Sequence, residues 1–411
     1  MHTSARLRVF TLFSVGYVLS YLYRGLNLGL APYLSSTFRF STAELGTITS
    51  VYFLGFAGAQ IPAGMMLDRF GPRRVESALL AVAAVGALMF AMANGFGMML
   101  VGRLLIGVGV SVCLAAAFKA LSEQFPLTQL PLLNGMVSAI GGLGGVFVGA
   151  PLTSLLEVVS WRSLFFSLAA LTVLTALTIW FAVPDKGKVR TDHAVVPKIN
   201  DSWSIFRSRA FWRLAAFPAA TQGVLYAIQS LWVGPYLRDV TRLDAAASGK
   251  IVSILSLSLM AGCATLGALA RVLSKRAVSI RSLCNACMCI FVLVQLLILS
   301  EVHIANYVIW AVYGFFGGSG ILCYTVFAER APSALIGRLN TAMTLLIFST
   351  TFLLQIAIGW ILNFWPTHGG QYPAIAHKVV WVGLISFQVL SAIAFIRPVR
   401  QSFSEEAVPL G

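Results

Sequence analysis

Charge is scarce in this chain. Asp, Glu, Lys and Arg together make up 10% of its 411 residues, against about 25% in an ordinary soluble domain. A water-facing shell needs more polar side chains than that, so a soluble globule is excluded. Disorder is excluded as well, because 58% of the residues are hydrophobic and the mean hydropathy is +0.85. Acids are rarer still, 14 against 29 Lys and Arg. The sequence lacks a Gly-x-x-x-x-Gly-Lys-Ser/Thr loop, a His-Glu-x-x-His pair and a Gly-x-Ser-x-Gly turn. Neither ATP-driven pumping nor zinc or serine hydrolysis is therefore expected, and the chain is read as a non-enzyme that needs no cofactor. Cysteines number 6. Cys284, Cys287 and Cys289 gather in one run, but no second cluster completes a closed zinc site, so they are read as small packing residues.

What the chain does have is long apolar runs of ~20 residues, the length that crosses a ~30 Å hydrocarbon core as a helix. Twelve can be marked: 10–34, 44–66, 76–94, 97–120, 132–156, 162–183, 211–237, 247–270, 282–300, 304–328, 338–362 and 374–397. Few residues precede the first run, and it is too long for a cleavable signal. The stretch 184–210 stands apart as polar and basic, with Lys186, Lys188, Arg190, Lys198, Arg207 and Arg209. It divides the spans six and six. The expected organisation is a bundle at 1–183, a cytoplasmic linker at 184–210 and a second bundle at 211–411.

A net charge of +15 would suggest nucleic acid in a soluble protein. Here it follows from the excess of bases on cytoplasmic loops. With both termini inside, only Arg39, Arg162, Arg238, Arg242, Lys250 and Lys378 fall outside. Arg24 and Arg103 lie within spans, and the rest are inside. The two halves also repeat. The offset that sets Pro32-Tyr33-Leu34 on Pro235-Tyr236-Leu237 also sets Gly46 on Gly249, Ser50 on Ser253, Gly64 on Gly267 and Arg73 on Arg276. The expected fold is all-α, with twelve transmembrane helices in two pseudo-symmetric six-helix bundles. Duplicated halves of this kind place a binding cavity between them near the midplane.

The loop after the second span reads Gly64-Met65-Met66-Leu67-Asp68-Arg69-Phe70-Gly71-Pro72-Arg73-Arg74. Gly64 would let helices approach, Gly71 permits a tight turn, and Asp68 can complement a helix N-terminus. In type, spacing and place the loop resembles the loop motif of the major facilitator superfamily. That resemblance implies transport by rocking halves, with Asp68 bracing the inner ends and Arg69 and Arg73 as its partners. In the second half Arg271 stands where Asp68 would repeat. Glu329, Arg330 and Arg338 resemble the family's second-half inner-gate charges, and Arg103, followed by Gly107 and Gly109, resembles its fourth-span pattern. Arg103 has two open readings, a cavity or coupling role and snorkelling to the outer surface. Lys119 reads as a snorkelling anchor. Gly141, Gly142, Gly144, Gly145 and Gly149 give the fifth span a small-residue packing face.

Arg24 sits midway along the first span, where an arginine is costly unless it meets water or a partner. Tyr17, Tyr21, Arg24 and Asn27 recur at helical spacing and can form one polar stripe. The Tyr21-x-x-Arg24 segment resembles the first span of facilitators for organic anions and organophosphates, which implies that Arg24 binds the solute's anionic group. The other reading is that it only rigidifies the half. Gln222, Tyr226 and Gln229 share a face of the seventh span and are candidate solute contacts or interhelical hydrogen bonds. No acid maps to mid-depth: Glu76 falls at an inner edge and Asp239 outside, while His377 maps to an outer loop. The cavity should therefore be net positive and favour an anion.

The expected function is secondary transport of a small anionic solute by alternating access, as uptake or exchange, with a proton or a counter-anion as coupling partner. The rivals are a proton-coupled drug or metabolite exporter, which needs a titratable carboxylate in a span, and a non-transporting sensor. Lipid is the expected surrounding, nucleic acid is not a partner, and a monomer is expected. Short loops suggest a bacterial inner membrane.

Overall fold

The computed structural model describes residues 3–126, 129–184, 205–274, 279–301, 306–330, 333–367 and 371–396. Among these the architecture is helical. The chain divides into two compact units, Met1–Pro197 and Lys198–Gly411. Most of the stretch 184–210 lies outside the described residues.

The first unit contains α1 (Thr3–Phe38), α2 (Thr42–Phe70), α3 (Pro72–Met92), α4 (Phe96–Val110), α5 (Cys113–Gln124), α6 (Leu130–Phe147), α7 (Ala150–Val158) and α8 (Trp161–Ala182). Local chemistry sets several boundaries. Ser41 and Glu44 form a reciprocal capping box that starts α2. Gly71 separates α2 from α3 at φ 80°, a left-handed value that glycine adopts without strain. Pro72 follows at the first position of α3, where its missing N–H costs nothing. Close packing depends on glycine at the facing points. A Cβ at Gly107 of α4 would collide with the Tyr52 carbonyl of α2, and one at Gly141 of α6 with the Tyr17 ring of α1.

The second unit contains α9 (Arg209–Ala227), α10 (Val233–Asp239), α11 (Ala245–Ser274), α12 (Ile280–Leu299), α13 (Asn306–Gly317), α14 (Ile321–Arg330), α15 (Ser333–Leu362) and α16 (Ala374–Ile396). A π-helical turn, Ile228–Trp232, joins α9 to α10. The expected span at 211–237 is thus helical but locally widened, a feature that concentrates at functional positions. In this half a Cβ at Gly262 of α11 would collide with the Phe315 carbonyl of α13.

Among the described residues, 10 helices are long and apolar enough to cross a membrane, or up to 11 if the pair Leu133–Phe147 and Ala150–Val158, bent by 47°, is one span. That pair occupies the expected span at 132–156, broken at Gly149 just before Pro151. Large apolar side chains such as Val85, Leu174, Leu293, Leu353 and Leu390 remain exposed. In water so many would be a liability, whereas against lipid tails they cost nothing. The protein is an integral, multi-pass membrane protein.

Candidate solute-binding residues

In the first unit α1 delivers a polar stripe. The Tyr17 and Tyr21 rings meet edge-on at 5.2 Å. The Arg24 guanidinium lies over the Tyr21 ring at 4.5 Å and over Phe56 of α2 at 5.7 Å. Arg24 acts electrostatically on Tyr52 of α2, whose hydroxyl donates to the Ser20 carbonyl at 3.2 Å. Arg24 is buried. Asn27, next on the stripe, turns to α2, where its Nδ2 donates to Thr49 Oγ1 at 2.9 Å.

Arg103 joins the same cluster from α4. It is 0% exposed. Its Nη1 donates to the Tyr23 carbonyl at 2.8 Å, and its guanidinium lies 5.0 Å from the Tyr52 ring centroid. Its Nε and Nη2 are buried without a partner among the described residues. This excludes the snorkelling reading, because the side chain runs inward to α1 and α2. Both guanidinium groups thus act on Tyr52. The sequence reading missed it, along with Thr49 and Ser20, because an apolar second span gave no reason to single them out.

The acids of this unit are accounted for in several ways. Glu44 closes its capping box, and Asp68 Oδ1 pairs with Lys119 Nζ at 2.7 Å. Lys119 also donates to the Leu67 carbonyl at 2.8 Å. The expected partners of Asp68 are thus corrected. Arg69 lies over the Phe70 ring, and Arg73 Nε donates to the Trp180 carbonyl at 2.7 Å. Lys119, read as a snorkelling anchor, is the cation that reaches Asp68. Gly64 is also corrected, because a Cβ there would meet nothing within 4 Å among the described residues. Glu76, placed at an edge by sequence, is 0% exposed.

In the second unit Gln222 Nε2 donates to the Gly317 carbonyl at 2.7 Å, an interhelical bond. Tyr226 stacks on Phe348 at 5.7 Å. Gln229, in the π-helical turn, donates to Ser256 Oγ at 3.1 Å. Its neighbour Ser230 accepts from Gln355 Nε2 at 2.7 Å. Gln355, which the sequence reading missed, keeps its Oε1 buried without a partner among the described residues. Arg338 is half-buried on α15, and the side chain of Glu329 lies outside the described residues.

At one end of this unit Asp239 accepts hydrogen bonds from Arg238 Nε at 2.6 Å, His377 Nε2 at 3.1 Å and the Tyr372 backbone N–H at 3.3 Å. His377 lies in α16 and is buried, so its assignment to a loop is corrected. Burial would raise the Asp239 carboxyl. The hydrogen bonds from His377 and Arg238, with the charge of Arg238, outweigh that and hold it below the usual carboxylate range. Among the described residues no group of His, Cys, Asp and Glu could hold a metal ion.

Two features decide the family. One is helical, duplicated architecture, and the other is the Gly64–Arg74 loop between α2 and α3. The sequence profile of the Major Facilitator Superfamily matches residues 13–367. The chain belongs to the Major Facilitator Superfamily. It is 24% identical over 260 residues to the probable sulfoacetate transporter SauU of Cupriavidus necator, covering 60% of each chain. It is 28% identical over 221 residues to the galacturonate transporter of Dickeya chrysanthemi, covering 50% of this chain and 64% of that one. The chain thus spans less than two thirds of the length of these curated relatives. Among solved structures, a bacterial homolog to the human lysosomal transporter Spinster, in an inward-facing and occupied conformation, aligns with a TM-score of 0.76 at 16% identity. That alignment covers 96% of this chain and 97% of that one, and it shows a shared fold.

Proposed function

We propose that this superfamily member is a secondary transporter that moves a small anionic solute by alternating access, in uptake or exchange, with Arg24 as its principal anion contact. The observation that carries this reading is the pair of buried guanidinium groups, Arg24 and Arg103, that both act on Tyr52. A guanidinium is permanently charged and forks toward carboxylate, sulfonate or phosphate oxygens. Sulfoacetate and galacturonate, named for two relatives, are both organic anions. Further candidate solute contacts are Tyr17, Tyr21 and Asn27 in the first unit, and Tyr226 and Gln229 in the second. Gln222 holds its helix to Gly317 and takes a supporting place.

Asp68, Lys119, Gly71, Arg73 and Arg338 belong to the gating machinery in this reading, and Arg103 links α1 to α4. The bundles at 1–183 and 211–411 move about the linker at 184–210. The excess of Lys and Arg favours cytoplasmic termini, and the short loops favour a bacterial inner membrane; a monomeric transporter without enzymatic activity belongs to the same proposal. The exporter reading gains one observation, because a buried carboxyl does exist in a span, at Glu76. It bears on coupling more than on direction.

The test is uptake into proteoliposomes of labelled carboxylates, sulfonates, phosphates, inorganic anions and organic cations, for wild type and Arg24→Ala. Losing charge-assisted hydrogen bonds worth roughly 1.5–3 kcal/mol should lower anion flux about 10- to 100-fold, with an unchanged size-exclusion profile. Undiminished anion flux in the folded variant removes Arg24 from the mechanism. Flux of organic cations alone rejects the anion reading.

A further inference from the structure

We infer that Glu76 is a proton-binding site inside the first unit, the group whose protonation is coupled to solute movement. The inference deepens the transporter reading above and rests on it. Glu76 lies one turn into α3, is 0% exposed, and has both carboxyl oxygens without a hydrogen-bond partner among the described residues. Its slot is specific. A Cβ at Gly16 of α1 would collide with Oε1, so the carboxyl fits only because α1 presents bare backbone there. That backbone offers no spare donor, since each N–H in a helix interior is bonded four residues back.

Of the charged and titratable groups on the packed elements, the Cys113 thiol is the one that acts on Glu76. From α5 the neighbour is the Cys113 thiol, itself buried. From α4 the cation is Arg103, engaged with the Tyr23 carbonyl and the Tyr52 ring. From α8 it is Arg162, which donates to the Ala91 and Ala93 carbonyls at the opposite end of α3. On α3 itself Arg73 is bonded to the Trp180 carbonyl, and Arg74 is its neighbour. On α1, Arg6 lies over Phe125, Arg8 is exposed, and Arg24 lies with Tyr21 and Tyr52. From α2, Asp68 is taken by Lys119. Glu76 forms no ion pair among the described residues.

An ionised carboxylate here would lose its hydration and gain in return only the weak thiol donor of Cys113, so the slot suits the neutral acid. A repacking of α1, α3 and α5 that admits water would suit the ionised form, and the proton would pass to that water. Proton affinity and helix arrangement are then linked, and by reciprocity each biases the other. The route to the solute is α1, whose Gly16 and Arg24 are eight residues or about 12 Å apart on one rigid helix. A proton on Glu76 would travel with an anion on Arg24.

The experiment uses the full chain in liposomes, as wild type and Glu76→Gln, an isosteric neutral variant. Size exclusion and thermal midpoint serve as folding controls. Infrared difference spectra across a pH titration need no solute. They should show a protonated-carboxyl band in wild type that fades at alkaline pH and is absent from Glu76→Gln. If Glu76→Gln removes no such titrating band, the proposal is overturned. The second readout is uptake of labelled sulfoacetate and galacturonate, driven by a proton gradient and, separately, by counterflow. The ratio of gradient-driven to counterflow uptake should fall at least tenfold in Glu76→Gln. An unchanged ratio, including an equal fall in both, marks a packing role and overturns coupling. If wild type moves neither anion, the anion reading fails with these probes, and the infrared titration still decides whether Glu76 binds a proton. If Glu76→Gln does not fold, Glu76→Asp takes its place. A shifted titrating band supports the site, and an unshifted one overturns it.

Discussion

Asp239 shows how one residue can tie distant parts of a half together. Its side chain is 0% exposed in its ion pairs with Arg238 and His377, and it joins α10 to α16 and to the segment before α16 through Tyr372. Its carboxyl is held below the usual range despite burial, because His377 and Arg238 favour the charged form. A carboxyl depressed in the folded state contributes stability that is fully present above the unfolded value, about 4, and is lost as pH falls through the lower folded value. Asp239→Asn should therefore cost roughly 1–3 kcal/mol near neutral pH. The penalty should shrink as pH drops through the carboxylate range. Thermal unfolding of wild type and variant across that range measures it. A penalty independent of pH would mean that the contact holds by shape and hydrogen bonding rather than by charge.

Among elements, the glycines of two helices allow a paired comparison. Gly107 of α4 lies against the Tyr52 carbonyl, and an added methyl has no room because the obstacle is backbone. Gly107→Ala should force α2 and α4 apart and cost about 1–3 kcal/mol as overpacking. It should also weaken anion flux, since Tyr52 carries the contacts to Arg24 and Arg103. Gly64 of α2 faces open space. Gly64→Ala should leave the thermal midpoint unchanged or raise it, because alanine is favoured by about 1 kcal/mol within a helix. Thermal midpoints of the two variants test both statements together. A destabilised Gly64→Ala would show that something packs on that point in another conformation. The π-helical turn at Ile228–Trp232 is the element least visible in the sequence. No residue there breaks helix periodicity, and the widening shows in the backbone, where the Val233 N–H bonds to the Ile228 carbonyl five residues back.

For the whole molecule, the sequence carried the architecture because lipid imposes it. Twenty-residue apolar runs, a basic middle and a repeated register suffice to lay out two helical halves. The site was only partly legible. Arg24 and Tyr21 were found because charge and aromatic spacing on one helix are local facts. Lys119 as partner of Asp68, and His377 as partner of Asp239, are contacts between residues far apart in sequence. The burial of Glu76 was not legible, because the slot that admits it is cut by a missing side chain on α1. Orientation is the remaining molecular property, and charge alone argues for it. The bases at Arg69, Arg73 and Arg74 and those at 186–209 are assigned to one side of the spans, while Arg39, Arg162, Arg238, Arg242, Lys250 and Lys378 are the few on the other. A phosphatase that is active only outside, fused within 184–210, should be silent, and one fused after Asp239 should be active, with a fluorescent cytoplasmic reporter giving the converse. Replacing Arg69, Arg73 and Arg74 by glutamine removes inner charge from one short loop and should raise the fraction of chains in the reversed orientation. A phosphatase signal from 184–210 in the unaltered chain would invert the topology. It would also move Asp68 and Lys119 to the outer face.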